Sequence, residues 1–80
     1  MSNPHDRRTQ HVHVFKDDES TNWVVSVGGR RLSRHRTQYV AVAAGHRAAK
    51  RHHVELVTHG RNGRIRKRDS YGPDSARQDG

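Results

Sequence analysis

The dipeptide Asn62-Gly63, with the alternating run that follows it, constrains this chain more than any other feature. A two-residue type I′ turn needs positive φ at both central positions, and Asn and Gly adopt that conformation at the least steric cost. A hairpin with Asn62-Gly63 at its tip is therefore expected. In the strand after the turn, Ile65, Lys67, Asp69 and Tyr71 fall on one face, and Arg64, Arg66, Arg68 and Ser70 on the other. Ile65 is expected to face the core. Three guanidinium groups then line the opposite face at a spacing of two, a stripe that needs water or an anionic partner.

The remaining punctuation supplies the other elements. From His11 to Lys16, Val12 and Val14 alternate with His11, His13 and Phe15, the pattern of a short strand. A polar turn over residues 17–22 leads to a second strand, Trp23 to Val27. Gly28-Gly29-Arg30-Arg31 is expected to break or bend this strand, with Leu32 to Arg36 continuing it as an extended edge. Thr37 suits a helix N-cap. Tyr39 to Arg51 is alanine-rich and free of proline, and its small residues Ala41, Val42, Ala44, Gly45, Ala48 and Ala49 recur at spacings of three and four. Gly45 costs such a helix about 1 kcal/mol relative to alanine, which a close approach of helix to sheet would explain. Arg47, Lys50 and Arg51 lie near the other face or in the last turns, where cations complement the helix dipole. Glu55 to Thr58 makes a third strand, and the hairpin leads into a fourth.

The expected fold is α+β: a small β-β-α-β-β domain with one helix packed on an antiparallel sheet. Residues 1–10 are expected to form a flexible arm, 11–72 the domain and 73–80 a flexible tail. The core candidates are Val12, Val14, Trp23, Val25, Val27, Leu32, Val42, Ala44, Ala48, Ala49, Leu56 and Ile65. With 80 residues, of which 29% are apolar, that core is thin. Domains of this size bury roughly 60% of their unfolded surface and are marginal. A homodimer through sheet edges or the apolar helix face would supply further burial.

The order of residues also resembles a known family. Trp23-Val24-Val25, the Thr37-Gln38 helix start, Ala41, Ala44, Ala49-Lys50-Arg51, Glu55-Leu56-Val57, His59-Gly60-Arg61-Asn62-Gly63-Arg64-Ile65 and Arg68-Asp69-Ser70-Tyr71-Gly72-Pro73-Asp74 are similar to the small proteins called DUF2188. The resemblance covers about residues 11–74. It implies a compact β-β-α-β-type domain and carries over no catalytic residue. Where the family's helix often has acidic residues, this chain has Val40, Ala43 and Arg47, and where a leucine is usual it has Ala48. The helix is accordingly more basic or more neutral, and packs more thinly.

Charge bounds the function. Sixteen Lys and Arg against eight Asp and Glu give a net charge of +8, which attracts polyanions such as nucleic acid. A compositional reading, in which Arg and His reflect GC-rich codons, stands beside the electrostatic one. Nucleic-acid contact is assigned to Arg64, Arg66 and Arg68, with Arg61 and Lys50 as outlying contacts. Guanidinium forks suit phosphate. Trp23, Phe15, Tyr39 and Tyr71 are the only aromatics, so binding would follow the backbone rather than read bases.

His11 and His13 share a strand face and could chelate zinc or nickel, yet no carboxylate or cysteine completes a ligand set. The expectation is no metal and no cofactor. His59, Asp69, Ser70 and Ser33 are the residue types of a catalytic triad, but no glycine-flanked serine elbow or cysteine nucleophile accompanies them. The glycines at 60 and 63 lack the Gly-Lys-Ser/Thr of a phosphate loop. A non-enzymatic interaction or structural module is the expectation, with weak, sequence-tolerant nucleic-acid binding as the alternative. The longest apolar run, Tyr39 to Ala44, is far below the ~20 residues of a membrane span. No signal-like apolar segment follows Met1, so a cytoplasmic protein without membrane insertion is expected.

Overall fold

A computed structural model describes residues 11–71. Five strands and one helix follow in the order β1 (Val12–Lys16), β2 (Trp23–Val27), β3 (Arg30–His35), α1 (Gln38–His52), β4 (Glu55–His59) and β5 (Ile65–Ser70). They form a single mixed sheet of order β3-β2-β1-β4-β5 with the helix packed on it. The α+β class and the helix-on-sheet packing are as expected.

Two features of the expected sheet need correction, and they share one cause. Gly28 and Gly29 both have positive φ, +57° and +81°, and Val27 pairs directly with Arg30. This is the two-residue hairpin turn that needs positive φ twice, so the glycine pair reverses the chain instead of bending it. Residues 30–35 become a strand of their own. One additional reversal inverts the direction of everything after it. As a result β4 runs parallel to β1, with Val12 opposite Leu56, His13 opposite Val57 and Val14 opposite Thr58. The sheet is mixed, not antiparallel throughout.

The helix begins where its cap allows. Thr37 is extended (φ −126°, ψ 153°), and its Oγ1 accepts a hydrogen bond from the Val40 N–H at 3.2 Å. The helix ends on His53, which is left-handed at φ 57°. His53 N–H donates to the Lys50 carbonyl, and Val54 N–H donates to the Ala49 carbonyl at 3.1 Å. That pair of bonds satisfies carbonyls the last turn would otherwise leave open.

Ala41, Gly45 and Ala49 are the buried helix positions. A Cβ on Gly45 would lie 2.9 Å from Leu56 Cδ1 and 2.9 Å from Val14 Cγ2. The glycine is therefore the point of closest approach to the sheet, and its helix-propensity cost is offset by that packing. Under the helix lie Val12, Val14, Trp23, Val25, Val54 and Leu56, with Val27, Val42, Ala44, Ala48 and Tyr71 packed around them. Two expected core residues are not there: Leu32 is 51% exposed and Ile65 is 49% exposed. Leu32 is the extra residue of a bulge, because Val25 pairs with Ser33 and Ser26 with Arg31.

Candidate functional site

The β4–β5 hairpin carries most of the residues assigned to nucleic-acid contact, and its tip is not the expected type I′ turn. Asn62 does not have positive φ, while Gly63 does, at +84°. Gly63 N–H donates to the Gly60 carbonyl at 3.0 Å, and Gly60 N–H donates to the Arg64 carbonyl at 2.8 Å. The loop is thus three residues, Arg61-Asn62-Gly63, a tight turn closed by a left-handed glycine. Asn62 Oδ1 also accepts from the Arg64 N–H at 3.0 Å, a local bond that this side chain makes readily.

The three-residue loop shifts the pairing by one position, so His59 faces Ile65. A bulge then restores it: Thr58 pairs with Lys67, Val57 with Arg68 and Leu56 with Asp69. Arg66 is the extra residue. The two irregularities cancel along the strand but not at Ile65, which falls on the face away from the helix. This corrects the expectation of Ile65 in the core.

The same bulge breaks the arginine stripe. Arg66 Nη1 donates to Gln38 Oε1 at 3.3 Å, at the start of the helix, and Gln38 Nε2 donates to the His59 carbonyl. Arg68 lies on the other face, with Nη1 2.8 Å from Glu55 Oε1. Arg61 and Arg64 are exposed at the loop. Lys50 is exposed near the far end of the helix, twelve residues from Gln38 and so roughly 18 Å along the axis. Arg61, Arg64 and Arg66 therefore gather at one end of the molecule, while Arg68 and Lys50 stand apart.

The sheet face opposite the helix is the other candidate surface. Strand alternation and pairing place His13 and Phe15 of β1, Val24 and Ser26 of β2, Arg34 of β3, Glu55, Val57 and His59 of β4, and Arg68 of β5 on it. Val24, Ser26 and Val57 are buried, yet neither valine belongs to the cluster under the helix. The Arg31 guanidinium sits 5.7 Å from the Phe15 ring centre, a favourable cation–ring distance.

Two histidines meet on this face, and they are not the pair expected from the sequence. His13 Nδ1 lies 3.0 Å from His59 Nε2. His59 Nδ1 lies 3.1 Å from the Gly63 carbonyl, which can only accept, so Nδ1 carries the proton. Nε2 of neutral His59 is then an acceptor, and His13 Nδ1 donates to it. The ring centres are 5.2 Å apart with planes 25° from parallel, so the two nitrogens face each other nearly head-on. That is the geometry of a shared proton. A metal would need both lone pairs to converge on a third point. Among the described residues no three His, Asp or Glu side chains are grouped to hold a metal ion. Burial, followed by the charges of His59, His11 and Arg68, lowers the His13 pKa, opposed by Glu55. No local spacing could have revealed this contact, because the partners are 46 residues apart and the missed chain reversal decides which strands adjoin.

Other polar groups are structural. Asp17 accepts from the Glu19 N–H and from Ser20 Oγ. Those bonds, with Arg31 and Arg34 beyond them, hold its carboxyl below the usual carboxylate range. Tyr71 bonds His46 on the helix and packs against the core. It is not a stacking platform beside arginines, and burial raises its hydroxyl pKa. The residue types of a triad are not assembled: His59 and Asp69 lie on opposite faces of the sheet. Ser33 Oγ does meet His35 Nε2 at 2.9 Å, but among the described residues no carboxylate orients that histidine. A depression of about 500 Å³ lies between the β1–β2 turn and the hairpin tip. Asp17, Asp18 and Glu19 line one side together with Lys16 and Arg31, and Arg61 lines the other, so charges of both signs meet in it.

The surfaces from which self-association was expected are also defined. The small-residue helix face is spent on the sheet. The two edge strands carry Arg30, Arg31 and Arg34, and Arg66, Lys67 and Arg68, charges that discourage pairing with another edge. The helix is neither long nor apolar enough to cross a membrane.

These features define a small two-layer α+β domain with one helix-covered sheet face and one polar face. The chain belongs to the DUF2188 family, described as an uncharacterized protein conserved in bacteria, whose model matches residues 12–71. No curated protein and no solved structure matches it.

Proposed function

We propose that this domain is a non-enzymatic interaction module whose partner is anionic. The observation that supports this most is the charge left uncompensated on a folded scaffold. Residues 11–71 contain thirteen Lys and Arg but five Asp and Glu. Three of those acids, Asp17, Glu55 and Asp69, already sit beside Arg31, Arg68 and Lys67. A non-enzymatic role is supported by the separation of the perturbed groups: His13, Asp17 and Tyr71 stand in different places, each with a structural partner.

Nucleic-acid backbone is the more specific reading, favoured by the grouping of Arg61, Arg64 and Arg66 at the hairpin end. Arg68 is a weaker contact than its position in the sequence implies, because Glu55 competes for it. The test is titration of duplex DNA and of RNA at several salt concentrations. Three phosphate contacts give a slope of log K against log salt of about −2.7 on duplex DNA. Replacing Arg61, Arg64 and Arg66 with glutamine should flatten it, whereas Arg68→Gln alone should change it little. Absence of binding even at low salt removes the nucleic-acid reading. An unchanged slope in the triple variant moves the contact elsewhere.

A further inference from the structure

We propose that His11, His13 and His59 form an acid-sensitive latch across the β1–β4 seam, closed when the imidazoles are neutral and released when they are protonated. The seam has a particular place in the fold. Strands β1, β2 and β3 form one antiparallel unit, and β4 and β5 form another. The sheet order makes β1–β4 the one pairing between them. It is also the parallel pair, with three residues matched on each strand. Opening it leaves both units internally hydrogen-bonded.

Among the described residues two side-chain hydrogen bonds bridge this seam, beside the packing of Val12 and Val14 on Leu56, and each consumes an imidazole lone pair. Glu55 N–H donates to His11 Nδ1 at 3.3 Å. His13 Nδ1 donates to His59 Nε2 at 3.0 Å. A proton on His11 Nδ1 removes the acceptor that Glu55 N–H uses. One proton on the pair is accommodated, because His13 can move its own proton to Nε2 and accept at Nδ1 from His59 Nε2. When both rings are cationic, two N–H groups point at each other across 3.0 Å and two positive charges stand side by side. The Gly63 carbonyl holds His59 Nδ1 protonated, so the ring cannot escape by changing tautomer without losing that bond.

The surroundings sharpen the response. His11 immediately precedes β1, which carries His13, while Glu55 and His59 lie on β4 and Arg68 on β5. Strand β2 places uncharged Ser26 opposite His13, with Arg31 of β3 beyond it. The helix is on the other face. Among the described residues Glu55 is the one carboxylate acting on His13, and it is already engaged by Arg68 at 2.8 Å. The cationic neighbours thus outnumber the acid. They penalise the charged imidazole in the closed seam more than in the open one.

The experiment uses the full chain and two readouts across about pH 7.5 to about pH 5. Imidazole nitrogen shifts report the tautomer and charge of each ring, and hydrogen-exchange protection factors report the opening of each strand pair. His13 should hold its Nδ1 proton shared with His59 at neutral pH and become doubly protonated only below about 6.5. Over that step the protection of β1 and β4 amides at the seam should fall about tenfold for each unit by which its pKa is depressed. The β2–β3 amides should keep theirs. His13→Asn retains a donor toward His59 but cannot titrate, and it should remove most of the pH dependence of seam protection. Titration of His13 at an ordinary histidine value overturns the proposal. So does seam protection that stays constant while both rings become charged, a result readable in the wild-type chain whether or not the variant folds. Binding to DNA is not part of either readout, so the latch and the anionic-partner reading fail separately.

Discussion

The two faces of this sheet are built from the same five strands and have opposite chemistry. On the helix side, Val12, Val14, Trp23, Val25 and Leu56 interlock with a helix whose contact residues are Ala41, Gly45 and Ala49. On the other side, the rows hold His13, His59, Glu55, Arg34 and Arg68 around the buried Val24 and Val57. One face stabilises by excluding water and is sensitive to changes of volume. The other surrounds two buried valines with hydrogen bonds and charges whose strength depends on pH and salt. Stability therefore belongs to the first face and responsiveness to the second.

The largest expected effect tests that division directly. Leu56 is fully buried, beneath Gly45. Leu56→Ala should cost roughly 2–5 kcal/mol, enough to unfold much of a domain this small. Val57, next in sequence but on the opposite face, should lose less than half as much when changed to alanine, since the change removes fewer atoms and lies outside the helix-covered cluster. Denaturant melts of both variants measure this. Equal losses would show that the second face is packed as firmly as the first.

Gly45 sharpens the comparison from the helix. In a free helix Gly→Ala gains about 1 kcal/mol. Here the added methyl would lie 2.9 Å from two buried core side chains, and overpacking costs about 1–3 kcal/mol. Gly45→Ala should therefore be neutral to destabilising, lowering the melting temperature by up to about 16 °C. A clear rise in melting temperature would mean that helix and sheet can separate slightly without penalty.

Much of the helix-covered face was legible in the sequence, because it obeys local periodicity. Val12 and Val14, Trp23 and Val25, Thr37 at the cap and Gly45 at the close approach are all where alternation and helical spacing place them. The polar face was not legible, and the reason is arithmetic in the turns. Gly28-Gly29 and Asn62-Gly63 are both plausible two-residue turns, but the positive-φ pair forms at the first and a three-residue loop at the second. Reading the first as a bend removed a strand and reversed the direction of β4. Reading the second as a two-residue turn moved Ile65 to the wrong face. The arginine stripe failed for a related reason: alternation holds only within unbroken pairing, and the bulge at Arg66 interrupts it. The His13–His59 contact depends on which strands adjoin, so it was hidden along with the topology.

Acid offers a cleaner contrast between the faces than mutation does. His13 has a folded-state pKa lowered by burial and by His59, His11 and Arg68. A histidine with a depressed pKa binds its proton more readily when unfolded, so its contribution is complete above about pH 6.5 and is lost as pH falls below that value. Asp17 acts in the same direction but lower, since its depressed pKa matters only as pH drops through the carboxylate range. Stability should accordingly fall in two separated steps on acidification. His13→Asn should delete the upper step and leave the lower. A single step in the carboxylate range for the unchanged chain would remove His13 from any role in stability.

The smallest expected effect concerns Arg68 and Glu55. Their 2.8 Å contact is the shortest ion pair among the described residues, but the arginine side chain is 56% exposed and the glutamate 26%. Partly solvated pairs of this kind contribute about 0.2–1 kcal/mol. A double-mutant cycle with Arg68→Gln and Glu55→Gln should return a coupling in that range, shrinking as salt is raised. The two single variants should also differ in DNA binding in a way that stability does not predict. Glu55→Gln frees a guanidinium and removes a negative charge, so it should strengthen binding and steepen the salt slope by up to about 0.9. Arg68→Gln should leave the slope almost unchanged, because the cation it removes is already neutralised. If both variants weaken binding equally, Arg68 touches the polyanion while still held by Glu55, and the polar face, not the hairpin end, carries the contact.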